Sequence, residues 1–108
     1  MTEVVSLASL EQTPHARVFP DAEPRTVRLD LSAGTRVAGH THPGRRVVFY
    51  LVEGAVDLRV GDETHALEPG DVARFDGDRE VEPTATADST ALVVLARAPA
   101  VGRGQESD

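Results

Sequence analysis

From residue 25 to residue 97 the chain is a succession of short apolar-rich runs, each closed by a turn signal. The runs read RTVRLDLS, RRVVFYLVE, AVDLRV, ETHALE, DVARF, REVEP and STALVVLA. Between them stand Gly34, Pro43-Gly44, Gly54, Gly61-Asp62, Pro69-Gly70, Gly77-Asp78 and Pro83. Val27, Leu29 and Leu31 alternate with Arg28 and Asp30, and Val56, Leu58 and Val60 with Asp57 and Arg59. A period of two sends successive side chains to opposite faces, so these runs predict strands with one buried and one wet face. Short strands at this spacing predict an all-β sandwich or barrel. No stretch of helical length carries a 3.6-residue period, and only VVSLASLEQ near the start offers a weak helical pattern. The run VVFYLV, residues 47 to 52, departs from alternation and is apolar on both faces. A strand of that kind is buried on two sides. One face goes to the barrel interior; the other takes its cover from a second subunit or from another part of the chain.

A chain of 108 residues holds one domain with a single modest core. The expected organisation is an N-terminal extension over residues 1–20, a barrel over 21–98 and a disordered tail over 99–108. The net charge of −7 argues against a nucleic-acid backbone or an anionic membrane as partner. Phe19, Phe49, Phe75 and Tyr50 are the only aromatics, too few for a base-stacking platform. All eleven basic residues are arginine, a bias matching either a salt-rich cytoplasm or a GC-rich genome. There is no cysteine, which removes disulfides and thiolate metal sites. The first fifteen residues lack the basic start and apolar run of a secretory signal, and no segment has the length of an apolar membrane span. The expected address is the cytoplasm.

Candidate chemistry centres on GHTHPGRR, residues 39–46. On extended backbone His40 and His42 point the same way, and two neutral imidazoles at that spacing can share a transition-metal ion. No phosphate-binding glycine loop, nucleophile elbow or metalloprotease helix is present. Asp71 follows a Pro-Gly turn and reads as a cap of that turn.

The stretch GTRVAGHTHPGRRVVFYLVEG resembles the first motif of the cupin family: glycine, five residues, HxH, three or four residues, glutamate, six residues, glycine. Gly34, His40, His42 and Gly54 fall in place. GDETHALEPGDVARF resembles the second motif, with Gly61, Pro69, Gly70 and Asp71 at its tight turn. The resemblance covers about residues 25 to 97. It implies a single-domain jelly-roll β-barrel, an inward pocket for a small-molecule ligand or substrate, a divalent transition metal (Fe, Ni, Zn, Cu or Mn) and a homodimer. Two ligand positions depart from the pattern. The glutamate position falls at Val47, and no histidine stands near DGDREVEP, where the second motif would place one. Glu80 is the residue placed nearest that position, giving an expected metal set of His40, His42 and Glu80, with Asp78 as substitute.

By the same alignment Val47, Phe49 and Leu51 face the pocket, while Val48, Tyr50 and Val52 face an interface. His65, two residues before an inward Leu67, is a candidate interior ligand or acid/base. Arg36 or Arg46 near the mouth could hold an anionic substrate. His15, outside the motifs, is expected on the surface. Three functions remain open: a metal-dependent enzyme of dioxygenase or isomerase type acting on a small organic molecule, a non-catalytic module that binds a small molecule or a metal, and a metal-free epimerase-like enzyme with His42 as base.

Overall fold

The computed structural model describes residues 2–99; most of the expected disordered tail, residues 100–108, lies outside the described residues. Among the described residues eight antiparallel strands form two facing sheets. They are β1 (His15–Arg17), β2 (Arg25–Leu31), β3 (Arg45–Glu53), β4 (Val56–Val60), β5 (Glu63–Leu67), β6 (Val72–Asp76), β7 (Val81–Ala85) and β8 (Ser89–Arg97). The first sheet has the order β1-β2-β8-β3-β6 and the second β5-β4-β7. All seven expected strands are present. The helical pattern near the start amounts to a single 3-10 turn, Leu7–Ser9, a length too short to bury a face.

The alternation read from the sequence fixes the inner faces. Val56, Leu58 and Val60 are buried on β4, and Val81, Pro83 and Ala85 on β7, with the intervening residues half-exposed. On β3 the doubly apolar run divides as expected. Val47, Phe49 and Leu51 point into the core at 1%, 2% and 0% exposure, while Tyr50 and Val52 stay open at 38% and 36%.

Two departures concern the N-terminal extension. Residues 15–17 join the first sheet as its edge strand, pairing His15 with Leu29 and Arg17 with Val27. Arg28, on the face of β2 expected to be wet, is only 6% exposed. The segment ahead of β1 lies over it and takes its guanidinium as a clip: Arg28 donates to the carbonyl oxygens of Leu7 (3.0 Å), Leu10 (3.4 Å) and Gln12 (2.9 Å). Burying a guanidinium is costly unless its donors are taken up; here main-chain carbonyls take both terminal nitrogens, and the buried Nε alone has no partner.

Candidate functional site

The second sheet gains a ragged outer rung from residues 34–40. Val37 N–H donates to the Pro83 carbonyl (2.9 Å), and His40 and Val81 exchange both main-chain bonds (3.1 and 2.8 Å). Direct cross-strand partners share a face, so His40 points inward with Val81. The chain beyond it is pinned by the turn after β6. His42 N–H donates to the Gly77 carbonyl (2.7 Å) and Gly77 N–H to the Arg45 carbonyl (2.8 Å). The approach is so close that a β-carbon at Gly77 would lie 2.2 Å from the His42 carbonyl oxygen.

A cavity of about 70 Å³ opens between the sheets at this end. One wall is built of cross-strand rows of the five-stranded sheet: Leu95, Val47 and Phe75 in one, Val27, Val93 and Phe49 in the next. Val37, Val81 and Pro83 supply the facing wall, and His15, His40 and His42 are its polar lining. The rings of His40 and His42 meet edge to face, centroids 4.7 Å apart and planes at 88°. His40 Nδ1 lies 2.9 Å from the Ala38 carbonyl. A carbonyl can only accept, so that bond places the proton on Nδ1 and leaves the Nε2 lone pair free. Partial burial, then the charges of His40, Arg25, Arg45 and His15, hold the His42 pKa below the usual imidazole value. Burial and then His40 do the same for His15. Both rings are therefore neutral at pH 7.

His15 was expected on the surface. It is exposed on one side, yet its ring forms part of the cavity wall, because β1 pairs it with Leu29, another lining residue. The available signal was the alternation of His15 and Arg17 with Ala16 and Val18, both buried, in a stretch too short to stand out.

Glu80 is not brought to the histidines. It precedes the inward Val81, and one step along a strand reverses the face. Its carboxylate lies over Gly39 on the outer side and pairs with Arg59 at 3.2 Å. Arg59 also binds Glu82 at 2.8 Å, which holds that carboxyl below its ordinary pKa. Asp78 is exposed, in the turn after β6. Val81 takes the cavity-facing place beside His40, and Val47 faces the cavity at the glutamate position. Among the described residues no three His, Cys, Asp or Glu side chains come together as a metal group. The donors at the mouth thus fit the expected two-histidine, one-carboxylate set only in its imidazole half.

His65 shares a face with its partner Leu58, but β5 is the sheet edge and the ring reaches past the covering sheet into water. There it meets Glu63 Oε1 at 3.2 Å and is absent from the cavity. Arg36 is exposed and paired with Glu82 (3.3 Å), and Arg46 is exposed on the outer face opposite Asp76; neither lines the cavity. Asp71 does cap its turn, its Oδ2 accepting the Glu68 N–H at 2.8 Å. Among the described residues no helix is long and apolar enough to cross a membrane.

The family model described as cupin domain matches residues 27–96. Among solved structures, TT1209 from Thermus thermophilus is 30% identical, with a TM-score of 0.74 over 91% of this chain and 100% of that one. KdgF from Halomonas sp. is 20% identical, TM-score 0.69, over 79% and 80%. The cupin domain of Schizosaccharomyces pombe Cnp3 is 16% identical, TM-score 0.75, over 86% and 68%. The last two likenesses are of fold alone. No curated protein matches the chain.

Proposed function

The chain belongs to the cupin-domain family, and from that premise we propose that it is a small-molecule-binding barrel, its ligand's apolar body in the cavity and its polar end among the imidazoles at the mouth. The observation that carries this reading is the cavity wall: aliphatic and aromatic side chains apart from His15, His40 and His42, with Val47 at the motif's glutamate position and Val81 beside His40. Ligand sites are typically apolar hollows with a few convergent polar groups, and this is the cavity of that kind nearest the family motif. Thermal-shift screening of small molecules tests it, with Val93→Met as the control that fills the space. A ligand should raise the melting temperature of the wild type and leave Val93→Met unchanged. Equal shifts in both proteins would remove the cavity from the reading.

A second reading is favoured by the His40 Nδ1 bond to the Ala38 carbonyl, the kind of main-chain bond that fixes the ring of a metal-bound histidine. On it, His40 and His42 hold a divalent transition ion of the imidazole-preferring kind, zinc, copper, nickel or iron, for which the ligand completes the coordination. Elemental analysis after incubation with each ion tests it. A stoichiometric metal in the wild type, lost in both His40→Ala and His42→Ala, supports it, and no metal in the wild type ends it.

The outer face of β3 and its neighbours supports a homodimer. Tyr50, Val52 and Val72 are large apolar side chains exposed at 38%, 36% and 61%, and Val48 with its partner Val94 forms the next row of the face beside Tyr50. Tyr50→Glu should convert a dimer to a monomer in sedimentation.

A further inference from the structure

The two lips of the cavity carry an uneven charge. On the five-stranded sheet the row that lines the cavity as Leu95, Val47 and Phe75 is headed by Arg25, the direct partner of Leu95. The next row is headed by Arg17 and the third by His15. Facing them are His40 and His42. Every ionisable side chain in these positions is basic, and the lining contains no carboxylate, in a chain whose net charge is −7.

Among the described residues Arg25 stands apart from the other arginines. Arg36, Arg45, Arg59 and Arg97 are held by carboxylates. Arg28 gives its terminal nitrogens to three carbonyls, and Arg79 donates to the Val60 carbonyl. Arg17, Arg46 and Arg74 have no carboxylate partner among the described residues, but each is exposed to water. Arg25 is half-buried and makes no ion pair or side-chain hydrogen bond among the described residues; its buried Nε lacks a partner, as the Arg28 Nε does, but its terminal nitrogens are unbonded as well. Glu23, whose carboxyl feels the Arg25 charge, is already occupied by Arg45 at 2.8 Å and Arg97 at 3.7 Å. A partly desolvated guanidinium with open donors is costly to maintain and well suited to a planar anion.

We propose that the ligand is a small organic carboxylate, its anionic end held by Arg25 and His42 at the mouth and its short apolar body in the cavity. The inference rests on the small-molecule reading above and names the class of ligand. Guanidinium and carboxylate match as parallel donor and acceptor pairs, and the ring N–H of His42 supplies a further donor. A wall of valines, leucines and phenylalanines, polar only at its histidines, suits a short apolar body better than a hydroxyl-bearing one.

The test is calorimetric titration of the full chain with isovalerate and with isovaleramide, its uncharged counterpart of the same shape. The wild type should bind the carboxylate at least about tenfold more tightly than the amide, as charge-assisted hydrogen bonds require. Arg25→Gln should lose that preference while still binding the amide. Arg74→Gln, which removes the same charge from the outer face of β6, should retain it. Equal wild-type affinities, or a preference that survives Arg25→Gln, would overturn the carboxylate inference and leave the cavity as a ligand site. Binding of neither probe would overturn both. If Arg25→Gln does not fold, the His15 and His42 ring resonances of the wild type carry the same test. They should shift with isovalerate and much less with isovaleramide, and equal shifts would overturn the inference.

Discussion

The two ends of the barrel are built from the same strands and in opposite ways. At the end around Gly54, Leu51 and Leu58 are 0% exposed, Ala85 1%, and Leu31 and Val56 2%. Polar groups there close on one another: Ser89 Oγ accepts the Ala55 N–H at 3.0 Å and donates to the Ala87 carbonyl at 2.7 Å. Gly54, at φ +95°, leaves no space, since a β-carbon would lie 2.3 Å from Ser89 Oγ and 2.4 Å from the Asp88 carbonyl oxygen. At the other end the same sheets part around a cavity, and Arg25 keeps a nitrogen unpaired. The closed end has its apolar side chains fully buried and its polar groups paired, and the open end holds groups whose bonding capacity is unspent. That division matches the general cost of keeping a binding site ready.

The contrast can be broken most forcefully at the closed end. Leu58→Ala should cost about 2–5 kcal/mol in urea unfolding, because removing a fully buried leucine leaves a void as well as lost burial. Gly54→Ala should follow at about 1–3 kcal/mol, since alanine is strained at that positive φ and meets main chain that cannot retreat. At the open end Val93→Met should change stability by less than about 1.5 kcal/mol while abolishing ligand-induced stabilisation, because the thioether occupies space already empty.

The smallest effect is a pH dependence confined to the mouth. His15 and His42 have folded pKa values below the ordinary 6.5. The unfolded chain therefore takes up protons first as pH falls. Stability contributed by these rings is complete above about pH 6.5, and is lost progressively below it until the folded rings protonate in turn. The groups bearing on them, His40, Arg25 and Arg45, are all basic, so none opposes the trend. Urea midpoints between pH 7.5 and 5.5 should fall, and the fall should be shallower in the His15→Gln, His42→Gln double variant. Loss attributable to Glu23 and Glu82, whose folded pKa values are lowered by Arg45 and Arg59, belongs to a separate window below about 4.5.

Alternation made the sheets legible in the sequence, and the HxH pair with its framing glycines made one lip of the cavity legible. The remainder depended on information a linear pattern lacks. Glu80 and Val81 differ by one position, and an error of one residue in register exchanges the outside of a strand for its inside. Arg28 looked solvent-facing because nothing local shows that residues 7–12 fold back over it. His65 had the right parity but lay on an edge strand, where facing inward means facing water. Arg25 drew no notice, since its place beside Leu95 is a pairing across seventy residues of chain.

The Arg28 clip has a consequence for exchange with solvent. By fixing the Leu7, Leu10 and Gln12 carbonyls it ties the first segment of the chain to the strand beside the His15 lip. Whatever a ligand contributes by immobilising that lip is shared with the segment, and coupling of this kind acts equally in both directions. Amide protons of β1, whose hydrogen bonds otherwise open with the edge of the sheet, should exchange more slowly when the cavity is filled, and residues 2–12, ahead of that strand, should contribute to how long a ligand stays.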